Sequence, residues 1–414
     1  MTLKILHICT QDYGGAGLAV YRLHKGLLDH GIESRMLVAE KTSHDNTVIQ
    51  AEPDRSLLYQ PPENVLLRNY VRMMRRHGKY LTRFECIQRK MKCLADLHPD
   101  VYYSSPVSIY RLLTHPLVQE SDIIHLHWIQ NFVDYETFFN AIDKPIVWTH
   151  HDLNPIYGGF HYDAPYRQYY ADYKSIEDDF SAIKKNAIEH VPNLTIVAVS
   201  KQMHSRIANH ELYKNRTFYD IPNSVNTHRF IQHDRNAVRR LLNIPGESKV
   251  FFFSALSLND KRKGLDVLMK AFDALNIDNA LLLCLGEGYI STNSKIEIRH
   301  FSPVSDTEWL SFLYSAADYF IAPSLEESFL QTAVESLSCG TPVIMTPVGI
   351  GEELISEHNG ILCSDFTPES IAEGIMNALS RIYDRDRIRN DVLVRFGIDR
   401  VVQEHLKMYK TIIE

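Results

Sequence analysis

The chain has 414 residues, which exceeds what one ordinary hydrophobic core encloses and predicts two α/β domains of roughly 200 residues each. Its composition, 45% hydrophobic and 23% charged, is typical of a globular protein. The formal net charge of −7 argues against general binding of nucleic acid, which needs a positively charged surface.

The first residues predict a strand rather than a leader peptide, because the apolar run 4–9 is short and contains His7. No segment approaches the roughly 18 consecutive apolar residues of a membrane-spanning helix. The cysteines are scattered and no pair has C-x-x-C spacing, which favours reduced core thiols over a disulfide framework or a zinc site. We therefore expect a cytoplasmic protein.

The first half of the chain alternates short apolar strands with longer amphipathic segments. A strand at 4–9, a helix at 16–30 that Gly31 ends, and a strand at 33–39 form a βαβ unit, which implies a parallel sheet. Further strands are predicted at 122–126, 145–149 and 194–199.

A glycine-rich turn, Gly14-Gly15-Ala16-Gly17, follows the first predicted strand. Glycines there let the backbone approach a ligand at the positive end of a helix. The order differs from the G-x-G-x-x-G of dinucleotide-binding folds, which argues against a dehydrogenase.

Residues 66–92 differ from the rest in composition. Between Arg68 and Lys92 there are nine lysines and arginines and a single acid, Glu85, with apolar residues interleaved. This pattern fits an amphipathic basic helix at an anionic membrane surface or near an acidic acceptor, and it suggests a lipid-linked acceptor at the inner membrane face. The alternative is a solvated helical insertion whose apolar face packs on its own domain.

Histidines cluster near the ends of two predicted strands, at His125, His127, His150 and His151, and His161 follows. We expect them to gather at one edge of the sheet. No H-x-x-x-H or H-E-x-x-H helix is present, so metal binding is not the favoured interpretation. A structural role in the core is the alternative for His151.

The second half repeats the alternation. Strands are predicted at 249–254, 281–285, 296–300, 319–322 and 343–346, and helices at 265–275, 307–316, 329–339 and 369–381. The turn signal at 221–224 separates the two series. We predict an N-terminal domain at 1–220, a C-terminal domain at 221–395 and a terminal helix within 396–414.

Three adjacent cations, Lys261, Arg262 and Lys263, precede Gly264 in the loop after the strand at 249–254. Cations beside a helix N-terminus can neutralise a leaving diphosphate without a metal. A solvated basic loop is the alternative.

The most informative segment runs from Ala322 to Val343. We predict that Ser328 and Gln331 form a capping box for the helix at 329–339, which Gly340 ends. The loop then lies at the carboxyl edge of a parallel sheet, where open α/β folds bind ligands, and the amides of Leu330, Gln331 and Thr332 are free to bind phosphate.

Glu327 and Glu335 lie eight residues apart, with Glu327 on the predicted loop and Glu335 in the second helical turn. So placed, two carboxylates can accept hydrogen bonds from hydroxyls of a sugar and of a ribose. Two surface glutamates without a ligand are the alternative.

This segment resembles the E-x7-E region of retaining glycosyltransferases with the GT-B fold, the GT4-like or group 1 family that includes sucrose synthase. The resemblance implies that Glu327 contacts the donor sugar and Glu335 the ribose. Many members read Glu-Gly-Phe-Gly where this chain reads Glu327-Ser328-Phe329-Leu330. The subgroup resembling colanic-acid transferases also lacks those glycines.

The same resemblance extends to other motifs in family order. It places Lys263 on the donor phosphates, where Arg262 stands in for an arginine that the family has earlier in the loop. It implies that His151, next to Asp152, faces the donor sugar, and that Gly15 and Ala16 face the diphosphate. Phe329, Leu330, Gln331 and Thr332 complete the implied donor site.

We therefore expect an α/β protein of the GT-B class, with two Rossmann-like doubly wound parallel-sheet domains facing a central cleft. The expected activity is retaining transfer of a sugar from a nucleotide-diphosphate donor to a glycan or lipid-linked acceptor in surface polysaccharide biosynthesis. His151, Lys263 and Glu327 are the candidate catalytic residues. No cofactor and no obligatory metal is expected, because no D-x-D follows a strand.

Two alternatives remain open at this point. One is a noncatalytic subunit that binds a sugar nucleotide. The other is a GT-B enzyme of another reaction, such as a sugar-nucleotide epimerase or a phosphorylase.

Overall fold

The structure is a computed structural model that describes residues 3–290, 296–303 and 307–414. Its strands form two sheets, one in each of two compact units. The strands are β1 Lys4–Gln11, β2 Glu33–Glu40, β3 Val48–Gln50, β4 Ile123–Leu126, β5 Ile146–His150, β6 Leu194–Ala198, β7 Thr217–Asp220, β8 Lys249–Ser257, β9 Ala280–Glu287, β10 Glu297–Phe301, β11 Tyr319–Ala322, β12 Val343–Met345 and β13 Gly360–Leu362.

The helices lie between these strands in the chain. They are α1 Gly14–Asp29, α2 Val65–Arg76, α3 Arg83–Leu97, α4 Pro116–Glu120, α5 Tyr135–Phe139, α6 Asp163–Ile188, α7 Lys201–Ile207, α8 Arg235–Leu241, α9 Leu265–Asp273, α10 Thr307–Ala316, α11 Gln331–Ser338, α12 Gly351–Leu354, α13 Pro368–Leu379, α14 Arg385–Phe396 and α15 Ile398–Ile413.

The seven-stranded sheet has the order β3-β2-β1-β4-β5-β6-β7, and the six-stranded sheet has the order β10-β9-β8-β11-β12-β13. Strand pairs from β3 to β5, and all pairs of the second sheet, run parallel. In each sheet the strand order reverses once, between β1 and β4 and between β8 and β11. Such a reversal opens a crevice at the carboxyl ends of the strands, where doubly wound sheets bind ligands.

One compact unit comprises Met1–Val197, Ser205–Tyr219 and Tyr409–Glu414, and the other comprises Ala198–His204 and Asp220–Met408. The boundary between the units thus falls at the end of β7, between Tyr219 and Asp220, and the last turn of α15 belongs to the first unit. Each unit has its own buried core, and in the second unit it includes Phe252, Leu283 and Leu337.

Every predicted strand is present, with its ends shifted by at most three residues. The strands that the sequence did not predict, β3, β7 and β13, are all short edge strands of their sheets. Edge strands are half exposed and carry only a weak apolar pattern. The long helix α6 was also not predicted.

The basic segment 66–92 is not one helix but two, α2 and α3, separated by a turn at Gly78, whose φ is +79°. Cys86 and Cys93 on α3 are exposed, so the prediction that all cysteines are core thiols is wrong for these two. Within the described ranges, none of the helices combines the length and apolar character that a membrane crossing requires.

Candidate active site

The cation loop after β8 is a single turn of 3₁₀-helix at Lys261–Lys263. Asp260 caps it by accepting a hydrogen bond from the Arg262 amide at 3.0 Å. Gly264 follows with φ +72°, and a Cβ atom at this position would lie 2.0 Å from the carbonyl oxygen of Pro323. Only glycine fits there, and this close approach brings Lys263 beside the loop that follows β11.

Lys263, in the turn after β8, contacts Glu327, in the loop after β11, as the sequence predicts for parts of one site. The Lys263 Nζ atom is 2.5 Å from Glu327 Oε1, and Arg262 Nη1 is 3.5 Å from the same oxygen. Burial alone would raise the pKa of Glu327, whose side chain is 11% exposed, but the charges of Lys263 and Arg262 outweigh it and lower that pKa. Glu327 is therefore ionised and held between two cations.

Arg262 has further partners that hold its guanidinium in place. It pairs with Asp260 Oδ2 at 2.9 Å and donates to the carbonyl oxygen of Glu326 at 3.1 Å. Arg262 thus lies beside Lys263 and Glu327, and its predicted contact with a diphosphate stays a prediction. An incoming phosphate would compete with Glu327 and Asp260 for these cations.

The start of helix α11 differs from the prediction. The helix begins at Gln331 and not at Phe329, and no side chain caps it, so the predicted capping box is wrong. The physical reason is Leu330, which occupies the cap position with φ +75°, a left-handed conformation that turns the chain before the helix starts. The Gln331 side chain instead donates to the carbonyl oxygen of Ser224 at 3.1 Å.

The helix start still offers backbone donors, at Gln331 and Thr332, whose first-turn amides have no acceptor within the helix. Leu330 occupies the cap position that precedes this first turn. Phe329 is buried in the core and its carbonyl oxygen accepts from the Ile350 amide at 3.1 Å, so its side chain does not face a ligand. Of the predicted donor residues in this segment, Gln331 and Thr332 have the geometry for an anion.

Glu335 lies in the second turn of α11, as predicted, and is almost fully buried. Burial, and then the nearby Glu335 carboxylate, raise the pKa of the Tyr314 hydroxyl well above its usual value. Gly340, which ends this helix, has φ +72°, which confirms the predicted glycine C-cap.

The glycine-rich turn of the first unit starts α1 two residues earlier than predicted, at Gly14. A Cβ atom added at Gly17 would lie 2.6 Å from the carbonyl oxygen of Gln11, so Gly17 is needed for packing against β1. Gly15 is exposed and a Cβ atom there would meet nothing within 4 Å. Gly15 and the adjacent Ala16 thus leave the backbone at the helix start open to a ligand.

His151 follows β5 and is half-buried. Its Nε2 atom lies 3.2 Å from Nδ1 of His127, and Nε2 of His127 lies 3.0 Å from Nδ1 of His7. Burial lowers the pKa of His151 to about 4, so the ring is neutral at physiological pH. Among the described residues, His151 is therefore hydrogen-bonded to His127, which is in turn hydrogen-bonded to His7, and not to its neighbour Asp152.

Asp152 makes a separate network. Its carboxylate accepts from His161 Nδ1 at 2.6 Å and from the indole of Trp128 at 2.7 Å, and His161 Nε2 lies 2.7 Å from the Ser104 hydroxyl. The order Ser104, His161, Asp152 is that of a hydrolase triad. Ser104 is only 1% exposed, however, so no substrate reaches it, and the network instead fixes the loop after β5.

His7, His125 and His127 place ligand nitrogens within 4.8 Å of one another, the one histidine arrangement of the described chain that resembles a metal site. His125 is already engaged on both nitrogens, by the Tyr409 hydroxyl at 2.6 Å and the Thr149 hydroxyl at 2.7 Å. A metal ion would have to break these buried hydrogen bonds, so the donor set does not favour one.

Sequence reasoning identified the histidine-rich strand ends but missed His7 and the order of contacts. The signal was present, because residues two apart on a strand share a face of the sheet. His125 and His127 share one face, as do Thr149 and His151, whereas His150 faces the other side and contacts the ring of Tyr213. The strand register that joins these pairs is not readable from the sequence.

Comparison with known proteins finds a family that resembles part of the C-terminal unit. Residues 247–381, about a third of the chain, match the family described as glycosyl transferases group 1. These residues include Lys263, Glu327 and Glu335. This part of the chain is similar to that family, in agreement with the enzyme class that the sequence predicts.

Named relatives agree with this class. An uncharacterized glycosyltransferase of Methanocaldococcus jannaschii is 29% identical over 199 residues, which cover 42% of this chain and 51% of that protein. A GDP-mannose-dependent alpha-(1-6)-phosphatidylinositol dimannoside mannosyltransferase of Mycobacterium tuberculosis is 32% identical over 126 residues, 29% of this chain and 32% of that protein. The matches thus span about half or less of these relatives.

Solved structures share the fold over the whole chain. Sucrose-phosphate synthase from Thermosynechococcus elongatus has a TM-score of 0.66 at 18% identity, covering 99% of both chains. HepE from Anabaena, solved with UDP and glucose, has a TM-score of 0.65 at 15% identity and the same coverage. At these identities the likeness shows the fold alone, and it confirms the predicted fold class of two Rossmann-like α/β domains.

Proposed function

We propose that the protein is a retaining glycosyltransferase that moves a sugar from a nucleoside-diphosphate donor to a glycan or lipid-linked acceptor in the synthesis of a surface polysaccharide. In this proposal the C-terminal unit binds the donor and the N-terminal unit binds the acceptor. The observation that carries it is the group of Lys263, Arg262 and Glu327 next to the start of α11.

The chemistry of this group suits a sugar diphosphate. Lys263 and Arg262 supply charge for two linked phosphates, and the first-turn amides of α11 add uncharged donors. The ionised Glu327 can accept hydrogen bonds from sugar hydroxyls once the phosphates engage the cations, and Glu335 is proposed for the ribose. A binding site for a neutral sugar alone would not need the two cations.

Catalysis would come from stabilising the charge that develops on the departing diphosphate. Lys263, Arg262 and the helix amides would perform this step, and a phosphate oxygen of the donor would take the proton of the acceptor hydroxyl. That route needs no protein nucleophile and retains the anomeric configuration. His151 would orient or polarise the donor sugar, and the open backbone at Gly15 and Ala16 would approach the substrate phosphates.

The test is transfer measured with purified variants. Lys263→Met and Glu327→Gln should each lower kcat by about 100-fold, because one electrostatic partner of a transition state contributes on that order. Lys261→Met removes an exposed charge from the same turn and is the matched control. Full activity of both site variants would refute the proposal.

The donor is best identified by thermal stabilisation with UDP-, GDP- and ADP-sugars. A donor present at 100 times its dissociation constant adds about 2.7 kcal/mol to the free energy of unfolding. The Lys263→Met variant should lose this stabilisation while Lys261→Met keeps it. The relatives named for GDP-mannose and UDP make these two nucleotides the first to screen.

Release of free nucleoside diphosphate, measured together with thermal stabilisation by the donor, separates the alternative functions. A transferase releases free nucleoside diphosphate only when acceptor, or water in its place, takes the sugar. A noncatalytic binding subunit is stabilised by the donor but releases nothing, and an epimerase converts the donor without releasing the nucleotide. We also propose that no metal is required, so transfer should survive treatment with EDTA.

We further propose that helix α2 contacts an anionic membrane surface, where a lipid-linked acceptor would lie. Leu66, Tyr70 and Met73 follow one another at helical spacing and are 81%, 48% and 52% exposed, which defines the α2 apolar strip. Val71 faces the protein core instead. The protein would then be cytoplasmic and peripheral at the inner face of the membrane.

A row of arginines accompanies the α2 apolar strip. Arg68, Arg72 and Arg76 are spaced four residues apart and lie on one side of the helix. Arg75 is paired with Glu85 at 2.5 Å and is less available. Exposed apolar side chains beside a row of cations match the headgroups and acyl chains of anionic lipids.

A further inference from the structure

Three imidazoles form a continuous hydrogen-bonded line across neighbouring strands of the first sheet. His7 lies on β1, His127 directly after β4 and His151 directly after β5, and these strands are adjacent in the order β1-β4-β5. The nitrogen-to-nitrogen distances are 3.0 Å from His7 to His127 and 3.2 Å from His127 to His151. Strands about 4.8 Å apart place successive rings within hydrogen-bonding reach.

His127 uses both ring nitrogens in this line, Nε2 toward His7 and Nδ1 toward His151. A neutral imidazole has one N–H donor and one acceptor nitrogen. If His127 donates from Nδ1, His151 must accept at Nε2 and carries its own proton on Nδ1. If His127 accepts at Nδ1, His151 donates from Nε2 and its Nδ1 is bare. The tautomers of His127 and His151 are therefore coupled.

The surroundings favour neutral rings over charged ones. His7 is fully buried and His127 is 3% exposed, and charging a buried imidazole is unfavourable. The ring centroid of His125 lies 4.0 Å from that of His127. The two ring nitrogens of His125 are hydrogen-bonded to the hydroxyls of Tyr409 and Thr149. His125 therefore packs against His127 while its own hydrogen bonds go to these two hydroxyls.

We propose that His7 and His127 are positioning residues that hold His151 in a single tautomer, so that its Nδ1 presents one fixed hydrogen-bonding character to the donor sugar. The inference rests on the proposed function, which assigns the donor sugar to His151. Nε2 of His151 is occupied by His127, and Nδ1 is the ring nitrogen left for a substrate hydroxyl.

The direct test is the tautomeric state of the full-length protein labelled with ¹⁵N-histidine. Long-range ¹H–¹⁵N correlations distinguish a protonated from a bare ring nitrogen, and His151→Gln assigns the signals. We expect His151 to show one tautomer in the native protein and both tautomers in His127→Phe. Both tautomers in the native protein, or an unchanged single tautomer in His127→Phe, would overturn this histidine relay, in which His127 sets the tautomer of His151.

Two further variants keep the test informative if His127→Phe folds poorly. An asparagine amide lies near the place of Nδ1 and a glutamine amide near that of Nε2. His127→Asn should thus keep a partner for His151, and His127→Gln should keep one only for His7. We expect the single tautomer in His127→Asn and its loss in His127→Gln, and the reverse result contradicts the assignment.

Activity separates the relay from the transferase proposal. His127→Gln should lower kcat at least on the order of tenfold with KM little changed, because a His151 ring in the wrong tautomer cannot make the hydrogen bond that orients or polarises the donor sugar. An active enzyme whose His151 tautomer ignores His127 overturns the relay alone. A locked tautomer in a protein that transfers no sugar overturns the transferase alone. Displacement of the His7 and His127 signals by stoichiometric Zn²⁺ would replace the relay with a metal site.

Discussion

Leu330 shows at the scale of one residue why the related motif has a glycine where this chain has leucine. Its φ of +75° is a conformation that glycine adopts freely and that costs other residues about 1 kcal/mol or more. The side chain is nonetheless buried in the core of the second unit. Burial of the apolar Leu330 side chain thus offsets the backbone strain at the N-cap of α11.

This predicts an inverted order of stability for two variants. Leu330→Gly should be more stable than Leu330→Ala by about 1 kcal/mol, because only glycine relieves the strain. Leu337, buried in the same helix, is the control, since there the glycine variant should be the less stable by about 1 kcal/mol. Urea unfolding gives the free energy of unfolding of the glycine and alanine variants at both positions. If the same residue gave the more stable variant at position 330 and at position 337, the strain argument would be contradicted.

Gly15 and Gly17 lie in one turn, but we expect an added methyl group to affect the stability of the fold differently at the two positions. Gly17→Ala should destabilise the fold, because its Cβ atom would lie 2.6 Å from the Gln11 carbonyl oxygen. Gly15→Ala meets no neighbour and should leave stability unchanged or raise it by up to about 1 kcal/mol.

For Gly15→Ala the expected loss is in substrate affinity, because a methyl group would keep phosphate from the backbone. KM for the donor or acceptor should rise while the melting temperature holds. Kinetics and melting curves measured on both variants decide this. Unchanged kinetics in Gly15→Ala would remove Gly15 from the proposed binding residues.

At the scale of elements, helix α2 presents the exposed α2 apolar strip of Leu66, Tyr70 and Met73. Leu66→Ser should weaken binding to vesicles of anionic phospholipid by about tenfold or more, because burying one leucine contributes about 1.5–3 kcal/mol. Leu241→Ser changes another exposed leucine, 63% exposed against 81% for Leu66, at the end of α8 and should have no effect. Cosedimentation with vesicles gives the bound fraction.

Arg72→Gln should weaken the same binding at low salt and have little effect at high salt, because the attraction to anionic headgroups is screened. Equal binding to vesicles of neutral phosphatidylcholine would contradict the proposed contact of α2 with an anionic surface.

At the scale of the whole molecule, buried histidines make stability depend on pH. Burial lowers the pKa of His150 to about 3, and among the described residues neither of its ring nitrogens has a hydrogen-bond partner. Between pH 6.5 and 3 the unfolded chain binds a proton at this residue that the folded chain does not. Folding stability therefore falls as pH drops below about 6.5, by up to about 1.4 kcal/mol per pH unit for this group.

His150→Phe should consequently gain stability relative to the native protein between pH 7.5 and pH 5.5, by about 1 kcal/mol. His125→Phe is the contrasting variant, since it loses hydrogen bonds to Tyr409 and Thr149 and should be destabilised at both values. Urea unfolding at the two pH values measures this, and a pH dependence unaltered by His150→Phe would contradict it.

The sequence by itself determined the two Rossmann-like domains, because alternating strands and helices leave a parallel sheet as the way to bury both faces. It also identified Lys263 and Glu327 as parts of one site, since residues that follow neighbouring parallel strands meet at the same sheet edge. The short edge strands and the start of α11 were not predicted correctly from the sequence, because the local sequence patterns there are weak or are overridden by tertiary packing.

Only the tertiary structure decided which groups face each other. The partner of His151 is His127 and not the adjacent Asp152, because strand register, which depends on contacts between distant segments, sets the pairing. The same applies to Leu330, whose strained conformation is stable only because a core formed by the whole unit buries its side chain. Local sequence thus specifies elements, and long-range packing specifies the contacts that carry chemistry.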